Sequence, residues 1–205
     1  RRKTALEDHV VVVGLGNVGY RVACRLHDLG EPVLAIEKNP DASYRSELPD
    51  TIPVIVGDAA TQAVAEQAAM ERARAVLAVT NDDMANLRVA QQAEAANPEV
   101  RTVVRLFQST LANKLSADIL GINQSLNPSQ AAAATFVACA LAPNVLQGFV
   151  LGRRLFMIRW LDGDHLPECV NHTVRAVRDT LGCLVLLRQR QGRIGFYGEA
   201  VGQEA

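Results

Sequence analysis

Three glycines and one acidic residue early in the sequence have types and a spacing that suit the binding of phosphate and hydroxyl groups. The glycines lie in the run Gly14-Leu15-Gly16-Asn17-Val18-Gly19. In a Gly-x-Gly-x-x-Gly run the first glycine permits a tight turn, the second lets the backbone approach a pyrophosphate, and the third lets a helix pack closely on a sheet. Glu37 follows at a distance that suits hydrogen bonds to both ribose hydroxyls. These residues predict a nucleotide site.

The residues around this motif predict the strands and helix that must position it. Val10–Val13 is a short β-branched run, typical of a parallel strand buried on both faces. Apolar residues recur with helical spacing from Val18 to Leu29 and stop at Gly30. Val33–Ile36 predicts a second buried strand that ends at Glu37. The order of strand, glycines, helix, strand and acid makes the motif specific and disfavours a glycine-rich turn that binds nothing.

The alternation of strand and helix continues through the first two thirds of the chain. It predicts further strands at Thr51–Val56, Ala75–Val79, Val100–Leu106 and Ile122–Leu126, and helices at Ala59–Met70, from Thr80–Asp83 to about Ala96, and at Ser109–Leu120. This pattern indicates the α/β class, a Rossmann-like doubly wound parallel sheet of about six strands. Its ligand is expected at the carboxyl ends of the strands.

Two further strand ends carry polar residues at that same predicted edge. Asp58 follows the third strand, and Thr80 with Asn81 follows the fourth. Taken singly, Gly57-Asp58 is an ordinary strand-ending turn and Thr80-Asn81 an ordinary helix cap. Their shared position at consecutive strand ends favours a site.

The chain changes in composition after the predicted sheet. Residues 128–151 contain no charged side chain. We expect crossover or dimerisation helices over residues 128–152, because a large uncovered apolar surface usually meets a partner. A core helix of a larger fold is the alternative.

We expect four parts along the chain. Residues 1–8 are a linker from a preceding segment, and the basic Arg1-Arg2-Lys3 is of the kind found beside a membrane helix. Residues 9–127 are the Rossmann nucleotide-binding domain, and residues 128–152 follow as the crossover segment. Residues 153–205 are a small α+β lobe that is cut short, with the elements Arg154–Trp160, Val174–Thr180, Leu184–Leu187 and Ile194–Tyr197 and a hairpin turn at Arg190–Gly192.

Composition excludes several classes of function. A net charge of −1 over 205 residues gives no electrostatic argument for nucleic-acid binding. No apolar stretch reaches the ~20 residues that a bilayer requires. The four cysteines are widely spaced, which fits thiols in a reducing compartment better than a disulfide framework: Cys24, Cys139, Cys169 and Cys183.

At this level the chain resembles the RCK (regulator of K+ conductance) domains, also described as Trk/Ktr-type NAD-binding domains. The resemblance covers nearly the whole chain and is most specific in five segments, Asp8–Leu26, Val33–Pro40, Val54–Ala60, Val76–Asp83 and Val103–Leu115. It implies a cytoplasmic regulatory domain at the inner face of the cell membrane. Such a domain forms a homodimer or ring and gates a potassium channel or transporter, on the same or a separate chain, when nucleotide changes its geometry. The tail departs from the family, which puts any ligand site there in doubt.

The resemblance also implies roles for individual residues. The Gly14–Gly19 loop would hold the phosphates, Glu37 the ribose, and Asp58 would lie near the adenine, while Arg105 would approach the phosphates. The full predicted cofactor site is Gly14, Leu15, Gly16, Asn17, Val18, Gly19, Glu37, Lys38, Asp58, Ala59, Thr80, Asn81 and Arg105.

NAD or NADH is the expected cofactor. Glu37 would repel a 2′-phosphate and Lys38 relieves this only in part, so NADP is disfavoured. ATP, ADP and AMP carry the same free ribose diol and stay open.

Three other functions are weighed against the regulatory one. An NAD-dependent oxidoreductase of the same fold would need a proton donor or acceptor beside the nicotinamide, and the histidines do not fall at strand ends. We therefore predict no catalytic residue. A pure assembly module is disfavoured by the intact glycines and Glu37. A metal site at His165, Cys169 and His172, or at Asp162-Gly163-Asp164, is disfavoured, because neither motif is accompanied by its second set of ligands.

Overall fold

The computed structural model describes residues 6–108, 122–162, 175–176, 184–188 and 193–197. The chain divides into two compact units, residues 1–128 and residues 129–205. The predicted helix at residues 109–120 lies outside the described residues. So do the turn at residues 190–192 and, apart from residues 175–176, the predicted helix at residues 174–180.

The first unit contains a six-stranded sheet in which every neighbouring pair is parallel. The strands are His9–Val13 (β1), Val33–Glu37 (β2), Val54–Val56 (β3), Ala73–Ala78 (β4), Arg101–Arg105 (β5) and Gln124–Leu126 (β6). The described helices are Asn17–Asp28 (α1), Gln62–Gln67 (α2) and Asp83–Ala96 (α3), with 3-10 turns at Ser43–Glu47 and Met70–Arg72.

The sheet order β3-β2-β1-β4-β5-β6 confirms the predicted Rossmann-like, doubly wound α/β fold. Strand order reverses between β1 and β4, which are hydrogen-bonded neighbours. In such sheets a crevice opens outside the carboxyl ends of the strands at this switch point. The switch therefore positions the site.

Apolar residues cover both faces of the central strand β1, which explains its unbroken β-branched sequence. Val11 and Val13 belong to the core on one face, together with residues of α2 and α3. Val10 and Val12 belong to the core on the opposite face, together with residues of α1. Because successive side chains point to opposite faces, a strand between two layers must be apolar throughout.

Helix α2 and strand β3 are shorter than their sequence patterns predict. Helix α2 covers only part of Ala59–Met70, because Thr61 N–H donates to the Asp58 carbonyl in a turn at 3.1 Å and Ala69 takes a left-handed φ of 52°. Strand β3 begins at Val54, after Pro53, which has no N–H to donate to a neighbouring strand.

The second unit has a four-stranded antiparallel sheet of order β7-β8-β10-β9. Its elements are a helix at Pro128–Leu141 (α4), which starts at the unit boundary, and strands at Val145–Leu151 (β7), Arg154–Asp162 (β8), Leu184–Arg188 (β9) and Arg193–Tyr197 (β10).

The expectation that residues 128–152 are helical throughout is wrong beyond Leu141. Pro143 cannot continue the helix, and Asn144 takes a left-handed φ of 57°. The chain then reverses into β7, which pairs with β8 over Val145–Leu151. The predicted boundary at residue 152 thus falls inside a β-hairpin.

Helix α4 packs on β7 through small residues. A Cβ on Gly148 would lie 2.4 Å from the Ala134 carbonyl oxygen and 2.8 Å from the Ala138 Cβ. Thr135 Oγ1 donates to the Gly148 carbonyl at 3.2 Å and accepts from its N–H at 3.1 Å. The small face of α4 is therefore covered, whereas Phe136 is exposed.

No helix within the described ranges is both long and apolar enough to cross a membrane.

Candidate functional site

An open cleft of about 670 Å³ lies at the carboxyl ends of the central strands of the first unit. Its volume is in the range of small-molecule and cofactor sites. Every residue of the predicted cofactor site lines the cleft except Gly19. The sheet therefore brings together residues that are up to 91 positions apart, from Gly14 to Arg105.

The three glycines of the loop meet different demands. Gly14 has φ +93°, and a Cβ there would lie 2.8 Å from Thr80 Cγ2. A Cβ on Gly19 would lie 1.7 Å from the Gly14 carbonyl oxygen, so Gly19 is required by the packing of α1. A Cβ on Gly16 would meet no atom within 4 Å. The fold therefore requires glycine at positions 14 and 19, whereas at Gly16 the missing side chain leaves open space beside the cleft.

The amino-terminal end of α1 faces this space, and no side chain caps its backbone N–H groups. Gly16 is the N-cap residue, has no side chain to cap the helix, and is followed by a first turn without an acidic residue. The first N–H groups of a helix carry a partial positive charge and bind anions. Gly16 and this helix end together fit a phosphate group.

Glu37 is held at the rim of the cleft by two backbone donors. Leu15 N–H donates to Glu37 Oε2 at 2.6 Å, and Asn39 N–H donates to Oε1 at 2.8 Å. A carboxylate has about four lone-pair sites, so both oxygens can accept further hydrogen bonds. The fixed carboxylate is thus suited to receive the two hydroxyls of a ribose.

Lys38 and Asp58 form an ion pair beside Glu37. Lys38 Nζ lies 3.0 Å from Asp58 Oδ2. The Ala60 N–H, which donates to Asp58 Oδ1 at 3.0 Å, and then the Lys38 ammonium lower the pKa of the Asp58 carboxyl below its usual value. Asp58 therefore offsets the charge of Lys38, the residue next to Glu37.

A fully buried amide side chain joins the ends of β4 and β5. Asn86 Oδ1 accepts from Thr80 N–H at 3.0 Å and from Thr80 Oγ1 at 2.7 Å. Asn86 Nδ2 donates to the Thr80 carbonyl at 3.1 Å and to the Arg105 carbonyl at 2.9 Å. Asn86 therefore fixes the backbone of two strand ends that line the cleft.

Arg105 places a guanidinium at the cleft with donors still available. Its Nη1 donates to the Val79 carbonyl at 3.3 Å, and its Cζ lies 4.2 Å from the ring centroid of Phe107. Its buried Nε has no hydrogen-bond partner in the part of the chain that the structure describes. A buried donor without an acceptor is costly unless a ligand supplies one, and a phosphate fits this requirement.

The structure adds cleft residues that the sequence analysis missed. Tyr44 lines the cleft from a 3-10 turn, donates to Asn17 Oδ1 and stacks on Tyr20 at a centroid distance of 5.0 Å. Arg88 lines it from α3 with Ala85, three positions earlier and hence on the same helix face. That helical spacing was a usable signal for Arg88. No local signal marked Tyr44.

Neither described histidine lines the cleft. His9 is fully buried in β1, where its Nε2 donates to the Ala68 carbonyl at 2.9 Å, and burial lowers the pKa of its imidazole. His27 is paired with Thr51 Oγ1 at 2.7 Å. Among the described residues there is no group of three or more His, Cys, Asp or Glu that could hold a metal ion. Most residues of the two candidate metal motifs lie outside the described residues: Gly163, Asp164, His165, Cys169 and His172.

The fold is that of a Rossmann-type nucleotide-binding domain. Residues 10–128 match the TrkA-N domain family, and the chain belongs to that family. The resemblance noted in the sequence is therefore confirmed.

Several of the similar proteins are potassium-transport proteins. The Trk system potassium uptake protein TrkA homolog of Pyrococcus horikoshii is 35% identical over 100 residues, which cover 48% of this chain and 43% of that protein. The chain spans less than half the length of the curated relatives it matches.

Solved structures share the fold. The GsuK channel bound to NAD aligns with a TM-score of 0.61 and 13% identity, covering 96% of this chain and 38% of that chain. The Kef CTD of Shewanella denitrificans in its AMP-bound form aligns with a TM-score of 0.55 and 20% identity, covering 66% of this chain and 82% of that chain.

Proposed function

We propose that this chain is a nucleotide-sensing regulatory domain of the RCK type that gates a potassium channel or transporter. The observation that carries the proposal is the open space at Gly16, which lies beside an uncapped helix end in the same cleft as Glu37 and Arg105. In this arrangement Glu37 binds the ribose, and the Gly14–Gly19 loop and Arg105 bind the phosphates.

The proposed ligand is NAD or NADH, with ADP, ATP or AMP as the alternatives. Glu37 and the Lys38–Asp58 ion pair favour a free ribose diol over a 2′-phosphate. Asp58 and Ala59 then lie on the adenine side, and Thr80 and Asn81 line the cleft further along. The NAD-bound and AMP-bound forms of two structural neighbours support this class of ligand.

The proposed role is non-catalytic. TrkA-N domains share their fold with oxidoreductases, so the proposal needs a direct test of turnover. With NADH and a panel of small carbonyl compounds, we expect no change in nicotinamide absorbance. Steady oxidation that disappears in the Gly16→Val variant would favour the oxidoreductase.

We further propose that the domain works as a homodimer or larger ring at the cytoplasmic face of a membrane potassium pore. The uncovered side of α4 supports this, because Phe136 is 76% exposed and Leu141 61% exposed on a helix without charged residues. A nucleotide that binds one dimer geometry more tightly shifts the population toward that geometry, by no more than its differential affinity. That motion would act on the pore.

Calorimetric titration and thermal-shift measurements with NAD, NADH, NADP, ATP, ADP and AMP test the ligand proposal. A ligand that binds only the folded state raises the melting temperature. Arg105→Gln is expected to weaken binding, whereas Arg101→Gln, at the opposite end of the same strand, should not. If no nucleotide binds, or if both variants behave alike, the proposed site is wrong.

The gating step has its own test. Small-angle X-ray scattering of the oligomer should give different distance distributions with and without saturating nucleotide. Identical distributions would contradict a ligand-driven change of geometry and leave nucleotide binding itself intact.

A further inference from the structure

Phe107 is an exposed aromatic residue that contacts the site without lining it. It lies two residues after the end of β5, is 43% exposed, and is absent from the cleft wall. Its ring instead lies under the guanidinium of Arg105, with 4.2 Å between Arg105 Cζ and the ring centroid. This distance is within the range of a cation–π interaction.

The backbone of Phe107 is anchored on both sides. Its N–H donates to the carboxylate of Asp83, at 2.9 Å to Oδ1 and 3.1 Å to Oδ2. Its carbonyl accepts from Asn127 Nδ2 at 2.8 Å. Asp83 begins α3, and Asn127 follows β6. The ring is therefore a platform whose main chain two separate elements hold in place.

Arg105 needs such a platform, because its other contacts hold the guanidinium weakly. Its Nη1 donates to the Val79 carbonyl at 3.3 Å, and its buried Nε has no partner among the described residues. A free arginine side chain carries about 2 kcal/mol of rotamer entropy, which a ligand would otherwise have to overcome.

The chemistry of the platform determines which groups of a ligand Arg105 can bind. A carboxylate partner would fix the guanidinium but would neutralise it and occupy its N–H donors. An aromatic face attracts the cation through the ring quadrupole and uses none of the in-plane donors. Apart from the hydrogen that Nη1 donates to the Val79 carbonyl, the exposed N–H groups thus stay available for a phosphate.

We propose that Phe107 is a positioning residue of the nucleotide site, which holds the Arg105 guanidinium in place for the phosphate groups of the ligand. This inference rests on the proposed function. Phe107 acts through Arg105, so its effect should appear only for ligands that carry phosphate and only when Arg105 is present.

The test is a double-mutant cycle on the 205-residue chain, read by calorimetry with NAD, ADP and adenosine. Phe107→Leu should weaken NAD and ADP binding about two- to fivefold, the equivalent of an exposed cation–π interaction, and leave adenosine binding unchanged. Phe107→Tyr keeps an aromatic face and should restore the affinity. In an Arg105→Gln background, Phe107→Leu should have no further effect. Melting temperatures confirm that each variant is folded.

Three outcomes would overturn the inference. One is unchanged NAD affinity in Phe107→Leu, the second is an equal loss for adenosine, and the third is an equal loss in both Arg105 backgrounds. Absence of nucleotide binding in the wild-type chain would instead overturn the proposed function.

A ligand-free measurement separates these failures. The NMR resonance of the Arg105 Nε–H group should carry a ring-current shift that Phe107→Leu removes and Phe107→Tyr keeps. If Phe107→Leu leaves that resonance in place, the ring does not hold the guanidinium, whatever the affinity data show.

Discussion

The backbone N–H of Leu15 donates to the carboxylate of Glu37 at 2.6 Å and so joins the glycine loop to the end of β2. The loop and the acid are therefore one structural unit before any ligand arrives. Asn39 N–H, at 2.8 Å from the other carboxylate oxygen, completes the fixation of Glu37. A carboxylate held in this way keeps one orientation toward the cleft, which lowers the entropy cost of binding a ribose.

Removal of the Glu37 carboxylate should therefore weaken nucleotide binding. For Glu37→Ala we expect a loss of about 1.5–3 kcal/mol in the binding free energy of NAD, the range for hydrogen bonds to a charged group. The matched control is Glu99→Ala, an exposed acid ahead of the amino end of β5. Calorimetric titration of both variants decides. Equal NAD affinity of Glu37→Ala and wild type would show that the ribose does not bind at this edge of the sheet.

Gly16 and Gly19 should respond in opposite ways to an added side chain. Gly16→Val places its side chain in open space on extended backbone, with φ −79° and ψ −169°, so the melting temperature should stay near that of the wild type while nucleotide binding is lost. Gly19→Ala drives a Cβ to 1.7 Å from the Gly14 carbonyl oxygen and should destabilise the fold itself, by at least the ~1–3 kcal/mol typical of overpacking.

Thermal unfolding and NAD titration of the same two samples check this pair. Strong nucleotide binding by a folded Gly16→Val protein would mean that the phosphate groups of the ligand do not approach the loop backbone at this point. A stable Gly19→Ala protein would contradict the packing argument alone.

The fold and most of the cleft could be predicted from sequence, because their signals are local. The run Val10–Val13, the glycine loop and Glu37 fall within one strand-helix-strand unit, and strand ends meet at one edge of a parallel sheet. Asn86 could not be identified, since its partners Thr80 and Arg105 end two different strands. Only the register of β4 and β5 brings them to one side chain.

The error at Val145–Leu151 has a different cause. The segment is apolar and uncharged like the helix before it, so hydrophobicity does not separate the two elements. The left-handed turn at Asn144 and the pairing of β7 with β8 decide the structure there, and the second of these depends on a strand later in the chain. Periodicity cannot carry that information.

Asn86 should be important for stability as well as for the shape of the site. Asn86→Ala leaves the partly buried Thr80 and Arg105 backbone groups that it bonds without those partners, at a cost of about 1–3 kcal/mol for an unsatisfied group. Gln91→Ala, an exposed amide on the same helix, should stay within about 0.5 kcal/mol of wild type. Urea unfolding of both variants measures the difference. A loss as small as the control's would show that water or other donors replace the Asn86 amide.

His9 should make the stability of the domain depend on pH. Burial lowers the pKa of its imidazole below the ordinary value of 6.5, so the unfolded chain takes up the proton more readily than the folded one. Its contribution to stability is therefore full above the unfolded-state pKa and is lost as the pH falls below it. His9→Gln keeps an N–H at the position of Nε2 to donate to the Ala68 carbonyl but cannot be protonated.

Unfolding free energies of wild type and His9→Gln at pH 7.5 and pH 5.5 test this linkage. The wild type should lose more stability than the variant over that interval, whose limits bracket the ordinary histidine pKa of about 6.5. Equal losses would show that the pKa of His9 is the same in the folded and unfolded states.

The uncovered face of α4 should hold two copies of the chain together. Phe136 and Leu141 are 76% and 61% exposed, whereas the opposite, small-residue face packs on β7. Burial of apolar surface contributes about 25 cal/mol per Å², so a second copy that covers these side chains is favoured. We expect sedimentation to show at least a dimer at micromolar concentration. Phe136→Asp combined with Leu141→Asp should dissociate it, while Leu29→Asp, at an exposed apolar residue of the first unit, should not. A wild-type chain that sediments as a monomer would contradict the assembly on which gating depends.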